Sequence, residues 1–288
     1  MAGGTLALAR QYVDIDRPQA ALETLARAGE DELEGSEYWA IRAQALLQLD
    51  RSAECLDAAT KGLEQSPEDV ELLDLLALAH LQSGYPKTAQ RVLAKALEIV
   101  PEEPILLAHE ALAAANAGDF EAARDLVAKA MRLAPDFSPV LRARAQVAYL
   151  ADDPAAPEYI DELLEREPED LIGHALRGNL AIQRKKYGSA RKAFETAAKL
   201  DPSDSELVEV ASEARIAWHP LLAPLRPIWR FGRWRSYFLY LTLFFVLAGA
   251  GLDSLRYILV ITWVSLVVLS WVGPRLLRLR QRRKYGAF

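Results

Sequence analysis

Proline recurs along this chain at a nearly constant spacing, and that period constrains the fold more than any other feature of the sequence. The prolines stand at Pro67, Pro101, Pro135, Pro168 and Pro202, which are 34, 34, 33 and 34 residues apart. A fixed period of this length is typical of repeat proteins, in which each repeat is one supersecondary unit stacked on the next. Units are therefore expected to begin near Ser36, Val70, Pro104, Ser138 and Leu171, after an earlier and more divergent unit at 2–35.

Each repeat unit is predicted to contain two helices joined by a short turn. A small residue recurs at one phase of the units, as Ala89, Ala123 and Ala190, and Cys55 takes the same place in another unit. Apolar residues return every three or four positions on both sides of a central turn, which is the spacing of amphipathic helices. A turn residue such as Gly84 and the proline at the next boundary are typical helix stop signals. The predicted fold class is therefore all-α.

One unit departs from this pattern. Residues 151–157 read Ala-Asp-Asp-Pro-Ala-Ala-Pro where other units have a turn and the start of a helix. Proline has no N–H to donate and clashes with the preceding turn inside a helix. The second helix of this unit is therefore expected to be shortened or shifted.

The units resemble tetratricopeptide repeats over about residues 2–202, or 70% of the chain. The places of the family's aromatic, small and proline residues are filled by Trp39, Gly178, Ala190, Phe194, Ala197 and Pro202, although no single unit fills all of them. The resemblance implies a helical-repeat solenoid of about six helix-turn-helix units within residues 1–218. It also implies that the stretch 205–217 caps the last repeat, which would otherwise leave an apolar face in water.

Members of this family usually bind a peptide or protein segment in a groove lined by the first helices. The resemblance places the following residues in that groove: Gln44, Asp74, Leu78, His109, Arg142, Gln146, Tyr149, Asn179 and Gln183. The basic cluster with which some members hold a chaperone's C-terminal carboxylate is not matched, since Ala40 and Ala175 stand where a base is needed. A protein partner in the groove is therefore expected, and the alternative is that the chain's own helices fill part of it.

Charge divides the sequence into two parts. Residues 219–288 hold eleven Lys and Arg but only one acid, Asp253, and so carry a net charge of +10. The remaining 218 residues carry about −16. An asymmetry of this size indicates two different environments within one chain.

Two apolar runs in the basic part predict a transmembrane helical hairpin. Residues 236–252 and 257–274 contain no charge, and only four residues separate them. At 1.5 Å per residue the two helices would be roughly 26 and 27 Å long, which is close to the hydrocarbon thickness of about 30 Å. A buried helical hairpin in a soluble core is the alternative, but the arginine clusters that bracket the runs favour a membrane.

Basic and aromatic residues flank the apolar runs. A basic aromatic segment, 219–235, precedes the first run and a basic tail, 275–288, follows the second, so the positive-inside rule places both termini in the cytoplasm. The residues expected at the membrane interface, next to anionic headgroups, are Trp229, Arg230, Arg233, Trp234, Arg235, Trp271, Arg275 and Arg278. Nucleic-acid binding by segment 219–235 is the weaker interpretation, because that segment leads directly into an apolar run.

The sequence contains no motif for catalysis or cofactor binding. It has no phosphate-binding glycine loop, dinucleotide fingerprint, zinc-protease motif or nucleophile elbow. Cys55 occupies the small-residue phase and is expected to be a core residue, and a metal site at His80 and His109 would need further ligands. We therefore expect no enzyme activity, no cofactor and no metal. The first ten residues lack the features of a secretory signal, so the acidic part is expected to remain in the cytoplasm.

Taken together, these features predict a non-enzymatic adaptor or scaffold that presents a protein-binding groove at the cytoplasmic face of a membrane. Confinement to a surface raises the effective concentration of a partner of modest affinity, which suits the assembly or organisation of a membrane or envelope protein complex. The alternatives are a constitutive subunit of a larger integral membrane complex and an organelle outer-membrane receptor similar to the mitochondrial fission receptor. The alanine- and arginine-rich composition favours a bacterial inner membrane.

Overall fold

The computed structural model describes residues 4–29, 35–202, 204–225, 233–250 and 252–285. Every regular element in these ranges is a helix, so the all-α prediction is confirmed. The chain divides into two compact units, Met1–Pro168 and Glu169–Phe288. This division lies inside the predicted repeat region of residues 1–218.

The described part of the first unit consists of helix pairs that follow the predicted period. They are α1 (Gly4–Asp14) with α2 (Pro18–Leu25), α3 (Ser36–Gln48) with α4 (Ser52–Gln65), α5 (Val70–Gln82) with α6 (Pro86–Ile99), α7 (Pro104–Asn116) with α8 (Phe120–Leu133), and α9 (Ser138–Leu150) with α10 (Ala156–Arg166). Each first helix packs against its own second helix and against the first helix of the next pair. The unit is therefore a stack of helix-turn-helix repeats.

The recurring prolines end the second helices. The helices α4, α6, α8 and α10 all end two residues before the next proline of the period. The residue directly before a proline is driven out of the helical region of backbone space. Accordingly, Ser66 before Pro67 has φ −134° and ψ 84°, and the chain turns there into the next repeat.

The helix α10 is short, as its sequence indicated. It has 11 residues, whereas α4, α6 and α8 have 14 each. Its start is delayed to Ala156, and the carboxylate of Asp153 accepts a hydrogen bond from the Ala155 N–H at 2.9 Å. The prolines at 154 and 157 thus shift the beginning of the helix while the period stays nearly intact.

A residue with left-handed backbone geometry stands in the turn between the two helices of each repeat. These residues have φ between 50° and 87°, and they are Asp16, Asp50, Gly84, Gly118, Asp152 and Lys185. Glycine adopts this geometry without strain, and aspartate tolerates it better than most residues do. Of the three residue types at these turns, lysine is the least suited to the left-handed backbone. The one lysine among them, Lys185, lies in the second unit.

The second unit begins with a further repeat and continues into the apolar C-terminal helices. Its elements are α11 (Leu171–Gln183), α12 (Tyr187–Leu200), α13 (Ser205–Ala217), a 3-10 helix (Pro220–Leu225), α14 (Arg233–Gly249) and α15 (Asp253–Tyr285). Ala211 of α13 packs in a cluster with Ala190 and Phe194 of α12. The helix α13 thus lies on the last repeat, at the place predicted for a final helix.

The apolar C-terminal region forms two helices that differ in length. The helix α15 has 33 residues and extends through Pro274 to Tyr285, so it is longer than the uncharged run 257–274 that it contains. Among the described residues, Tyr257–Leu276 is the one stretch long and apolar enough to cross a membrane, and only 6% of its most apolar window is buried in the protein. The helix α14 has 17 residues, the lower end of the range for a spanning helix.

Candidate functional site

One residue from each first helix of the first unit occupies the same repeat position. These residues are spaced by 34 along the chain and form what we call the inner row: Arg10, Gln44, Leu78, Leu112 and Gln146. All five are half-buried. Because each first helix contacts the next, equivalent positions on neighbouring first helices lie side by side on one face of the stack.

The N-terminal end of the inner row is closed by an internal ion pair. The Arg10 guanidinium donates two hydrogen bonds to the Glu71 carboxylate, one from Nη1 and one from Nη2 at 3.3 Å, and Nη1 also donates to Gln44 Oε1 at 3.4 Å. Partial burial alone would lower the pKa of Arg10, but the hydrogen bond to Glu71 and the charge of Glu71 raise the pKa overall. Since Arg10 lies on α1 and Glu71 on α5, their contact passes over α3 and engages Gln44.

A second internal pair lies further along the same face. His109 Nδ1 on α7 is 2.7 Å from Asp74 Oδ1 on α5, and each side chain is 16% exposed. This pair joins two adjacent first helices. Asp74 and His109, both predicted to bind a partner, are thus in contact with each other.

The part of the inner row beyond these pairs is open. Leu78, Leu112 and Gln146 are half-buried, and within the described residues the Gln146 amide has no hydrogen-bond partner. Arg142 and Tyr149 are also half-buried on α9, and each interacts with another residue of the chain. An apolar centre with an amide at one end can accept an extended or helical segment through apolar contact and a few hydrogen bonds.

The last two predicted groove residues belong to the second unit. Asn179 and Gln183 are both exposed on α11. That they share one binding surface with the inner row stays a prediction.

Sequence reasoning missed Arg10 and Glu71 as residues of this face. Arg10 lies 34 residues before Gln44, so the repeat period itself was the signal, but the first unit is too divergent for its residues to stand out. Glu71 had no such signal, because it is the second residue of α5 and reads as an ordinary acidic residue in a first helical turn.

The predicted membrane-interface residues are only partly covered by the structure. Trp229 and Arg230 lie outside the described residues. The side chains of Arg233, Trp234, Arg235 and Arg278 are also outside the described part, although their backbone lies in α14 and α15. Trp271 is 73% exposed and Arg275 is exposed on α15, so these two side chains are accessible to lipid headgroups or water.

Two kinds of site considered from the sequence, a metal centre and a reactive cysteine, can be compared with the described residues. They contain no group of three His, Cys, Asp or Glu side chains that could hold a metal ion. Cys55 is completely buried, and burial raises its pKa to about 12. Because the thiolate is the reactive form of cysteine, this residue is a packed core residue, as predicted.

The repeats match a known family. A tetratricopeptide repeat family model matches residues 75–136 and 153–205. No curated protein sequence matches the chain. The two matched stretches cover helix pairs in both units, and the repeat prediction is thereby confirmed for them.

Solved structures show the same fold. A tetratricopeptide repeat protein from Parabacteroides merdae is 18% identical, with a TM-score of 0.62 over 73% of this chain and 84% of that one. The Cut9-Hcn1 hetero-tetramer of APC/C is 15% identical, with a TM-score of 0.57 over 73% of this chain and 42% of that one. PilW, a type IV pilus biogenesis factor, is 18% identical, with a TM-score of 0.55 over 72% of this chain and 96% of that one. At these identities the likeness concerns the fold alone.

Proposed function

We propose that this tetratricopeptide repeat protein is an adaptor that holds a protein-binding groove at the cytoplasmic face of a membrane. Its partner is a protein segment that lies along the open part of the inner row. The observation that carries the proposal is the repeated first-helix position itself, at which Leu78, Leu112 and Gln146 are half-buried beyond the internal pairs. Tetratricopeptide repeats are protein-interaction scaffolds, and this face is where the stack presents adjacent half-buried side chains.

The membrane anchor is the second part of the proposal. Large apolar side chains are exposed along both C-terminal helices, including Phe245 at 67%, Ile261 at 65% and Trp271 at 73%. Contiguous apolar surface of this extent is covered by lipid or by another protein in a native setting. The rings of Tyr240 on α14 and Trp263 on α15 stack at 4.5 Å, which supports a hairpin of two spans. Both termini would then lie in the cytoplasm. The composition of the chain favours a bacterial inner membrane as the location. Anionic lipids of that membrane would contact the flanking arginines.

A second candidate function uses the same observations. If a protein rather than lipid covers α14 and α15, the chain is a constitutive subunit of a larger integral membrane complex. Purification in mild detergent followed by native mass measurement separates the two functions, because a constitutive subunit retains a partner at fixed stoichiometry and an adaptor does not.

The groove is tested by photocrosslinking in native membranes. A photoreactive amino acid at position 146 should capture a partner, whereas the same group at Lys95, exposed on the second helix α6, should not. Arg142→Ala combined with Gln146→Ala should lower partner recovery by roughly fivefold to thirtyfold, as the loss of about 1–2 kcal/mol of contact predicts. The melting temperature should fall only modestly, because both side chains are partly exposed and the loss is limited to the contact that Arg142 makes within the chain.

Gln44→Ala is the matched control, because Gln44 holds the same repeat position but is engaged by Arg10. Recovery should be unchanged in this variant. Capture at position 95 but not at position 146 would show that the partner binds the second-helix face. A large drop in melting temperature for the double variant would show that the chain itself fills the groove.

A further inference from the structure

A basic pocket lies in the second unit. It is a cavity of about 430 Å³ at the turn between α11 and α12, and its lining includes Lys185, Lys186, Arg191, Lys192, Gly188 and Trp218. Four of the lining residues are cationic and none is acidic. No motif in the sequence drew attention to it, because its residues come from one turn and from the end of a helix some 30 positions later.

The positive charge of the basic pocket is not neutralised within the protein. Lys185, Lys186 and Lys192 are exposed, and none of the three has an ion-pair partner among the described residues. Arg191 is 3.8 Å from Glu195, but that carboxylate already accepts a hydrogen bond from Arg215 at 2.9 Å. The pocket therefore attracts an anion, and several ammonium groups around one cavity suit a phosphate, which offers several acceptor oxygens.

Lys185 occupies a position that disfavours lysine. Its φ is 55°, at the turn position where the earlier repeats have aspartate or glycine. A left-handed backbone at a residue with a long side chain is strained and is tolerated when other features of the site maintain it. Lys185 thus lines the pocket from a turn position that costs some stability.

Trp218 connects the basic pocket to the apolar helices. Its indole packs directly on Gly188, where an added Cβ would meet ring atom Cζ2 at 3.0 Å. Four residues later, Leu222 lies against α15, and its Cδ2 is 2.7 Å from the position of a Cβ added to Gly273. Since four residues span at most about 15 Å, Trp218 in the pocket lining is close to the chain segment that packs beside the end of the apolar stretch Tyr257–Leu276.

We infer that the basic pocket binds the phosphate of an anionic phospholipid headgroup. The inference rests on the proposed membrane anchorage, because an apolar stretch that ends beside Gly273 puts the nearby pocket at headgroup depth. Anionic headgroups are the phosphates present at high local concentration there, and each lysine near such a surface strengthens the attraction. Trp218 supplies an indole of the kind that concentrates at this depth. Free phosphate shares the chemistry, and the experiment distinguishes the two sources.

Amine labelling of the full-length chain in lipid nanodiscs tests the inference. Acetylation rates of individual lysines are measured by peptide mass spectrometry in discs of phosphatidylcholine alone and in discs with added phosphatidylglycerol. Lys185, Lys186 and Lys192 should be protected only in the anionic discs. Lys199 is exposed on the same helix as Lys192, and it should acetylate at the same rate in both kinds of disc. Protection by inorganic phosphate in neutral discs, without protection by the anionic lipid, would overturn the inference in favour of a free anion.

Two variants, each with a control variant, distinguish a defined phosphate site from a diffuse electrostatic attraction to the membrane. Lys192→Gln should weaken retention of phosphatidylglycerol by roughly fivefold, whereas Lys199→Gln should not. Lys185→Gly should raise the melting temperature, because it relieves the left-handed lysine, and should still weaken lipid retention. Asp152→Gly at the equivalent turn is the control, and it should leave the retention of phosphatidylglycerol unchanged. Equal loss in the Lys192 and Lys199 variants would overturn the site.

The failure of this inference is distinguishable from failure of the proposed function. If the chain does not enter nanodiscs at all, the membrane anchorage is wrong. If it enters and its lysines are equally reactive in neutral and anionic discs, the anchorage stands and the basic pocket binds no lipid phosphate.

Discussion

Cys55 is completely buried in the stack between repeats, where its Sγ lies 3.9 Å from the Leu75 carbonyl oxygen. Burial raises the pKa of its thiol to about 12. At pH 8 the folded chain should therefore react with a thiol reagent roughly a thousandfold more slowly than an unfolded thiol with a pKa of about 8.5. Reaction kinetics with and without urea measure this difference, and an equal rate in both conditions would contradict the packing described.

The same shift has a consequence for stability. A thiol whose pKa is raised in the folded state favours folding below the unfolded pKa, and this contribution is lost as pH rises from about 8.5 toward the folded value. Cys55→Ala places alanine where other repeats have Ala89 and Ala123. This variant should fold, and its stability should decline less above pH 8.5 than that of the unmodified chain.

The carboxyl of Glu110 is expected to lower the stability of the fold at neutral pH. Burial raises the pKa of this carboxyl, and the charge of Lys129 opposes the shift. Folding therefore favours the protonated carboxyl. Above the pKa of Glu110 in the folded chain, the ionised carboxylate lowers the stability of the fold. Below its pKa in the unfolded chain, the carboxyl is protonated in both states and this loss of stability is absent. Glu110→Gln should raise the melting temperature at pH 7, and the gain should disappear near pH 4. Glu98→Gln on the exposed face of α6 is the control, and a gain at both pH values would count against a protonation effect.

Turn residues show which positions could be predicted and which could not. The sequence indicated turns around Gly84 and Gly118 because glycine is the usual residue for a left-handed backbone. Asp16, Asp50 and Lys185 hold the same conformation, but their residue types do not require it. Only the period identifies them, since the position returns every 33 or 34 residues.

At the scale of elements, close packing between α11 and α12 depends on Gly178. A Cβ added there would lie 2.6 Å from Cζ of Phe194. Gly178→Ala should therefore lower stability by about 1 kcal/mol, since overpacking costs about 1–3 kcal/mol and the better helix propensity of alanine returns about 1 kcal/mol. Urea unfolding measures the change. Gly4→Ala is the matched control, because Gly4 is exposed on α1 with no atom within 4 Å of an added Cβ, and an equal response of the two variants would show that Phe194 yields freely.

Helix boundaries were predictable where proline acts through the residue before it. The starts of α3, α5, α7, α9 and α11 were located from the period, and the short α10 followed from the prolines around Ala155. Proline does not end every helix of the chain, because α15 continues through Pro274. There a single proline lies in an otherwise strongly helical run, without the turn residues that accompany the prolines of the repeats.

At the scale of the molecule, the sequence predicted which residues share the first-helix face, but it did not predict which of them contact one another. The repeat positions of the family predicted that Gln44, Asp74 and His109 lie on the face formed by the first helices. Whether these side chains bind a partner or one another depends on the distance between helices, which no repeat pattern encodes. The contact between Arg10 and Glu71 joins residues 61 positions apart, and it exists only because the stack brings α1 and α5 close over α3.

The membrane topology of the whole chain can be tested by labelling three positions from outside the cell. Cysteines placed at Leu8, at Ser254 and at position 286, each in a Cys55→Ala background, are exposed to an impermeant thiol reagent in intact cells. Leu8 is 43% exposed and Ser254 is exposed, so folding does not hide them. If α14 and α15 both span the membrane, only Ser254→Cys should react, and positions 8 and 286 should react after the membrane is permeabilised.

The lengths of the two helices make the labelling outcome decisive. At 1.5 Å per residue α14 extends roughly 26 Å and α15 roughly 50 Å, against a hydrocarbon core of about 30 Å. Flanking arginines can extend the reach of the shorter helix by snorkelling. If α15 alone crosses, the termini lie on opposite sides, so position 286 and position 8 must differ in reactivity. If neither helix crosses, all three positions share one side. Two spans require that the termini agree with each other and differ from Ser254, because a chain that crosses twice returns to the side on which it started.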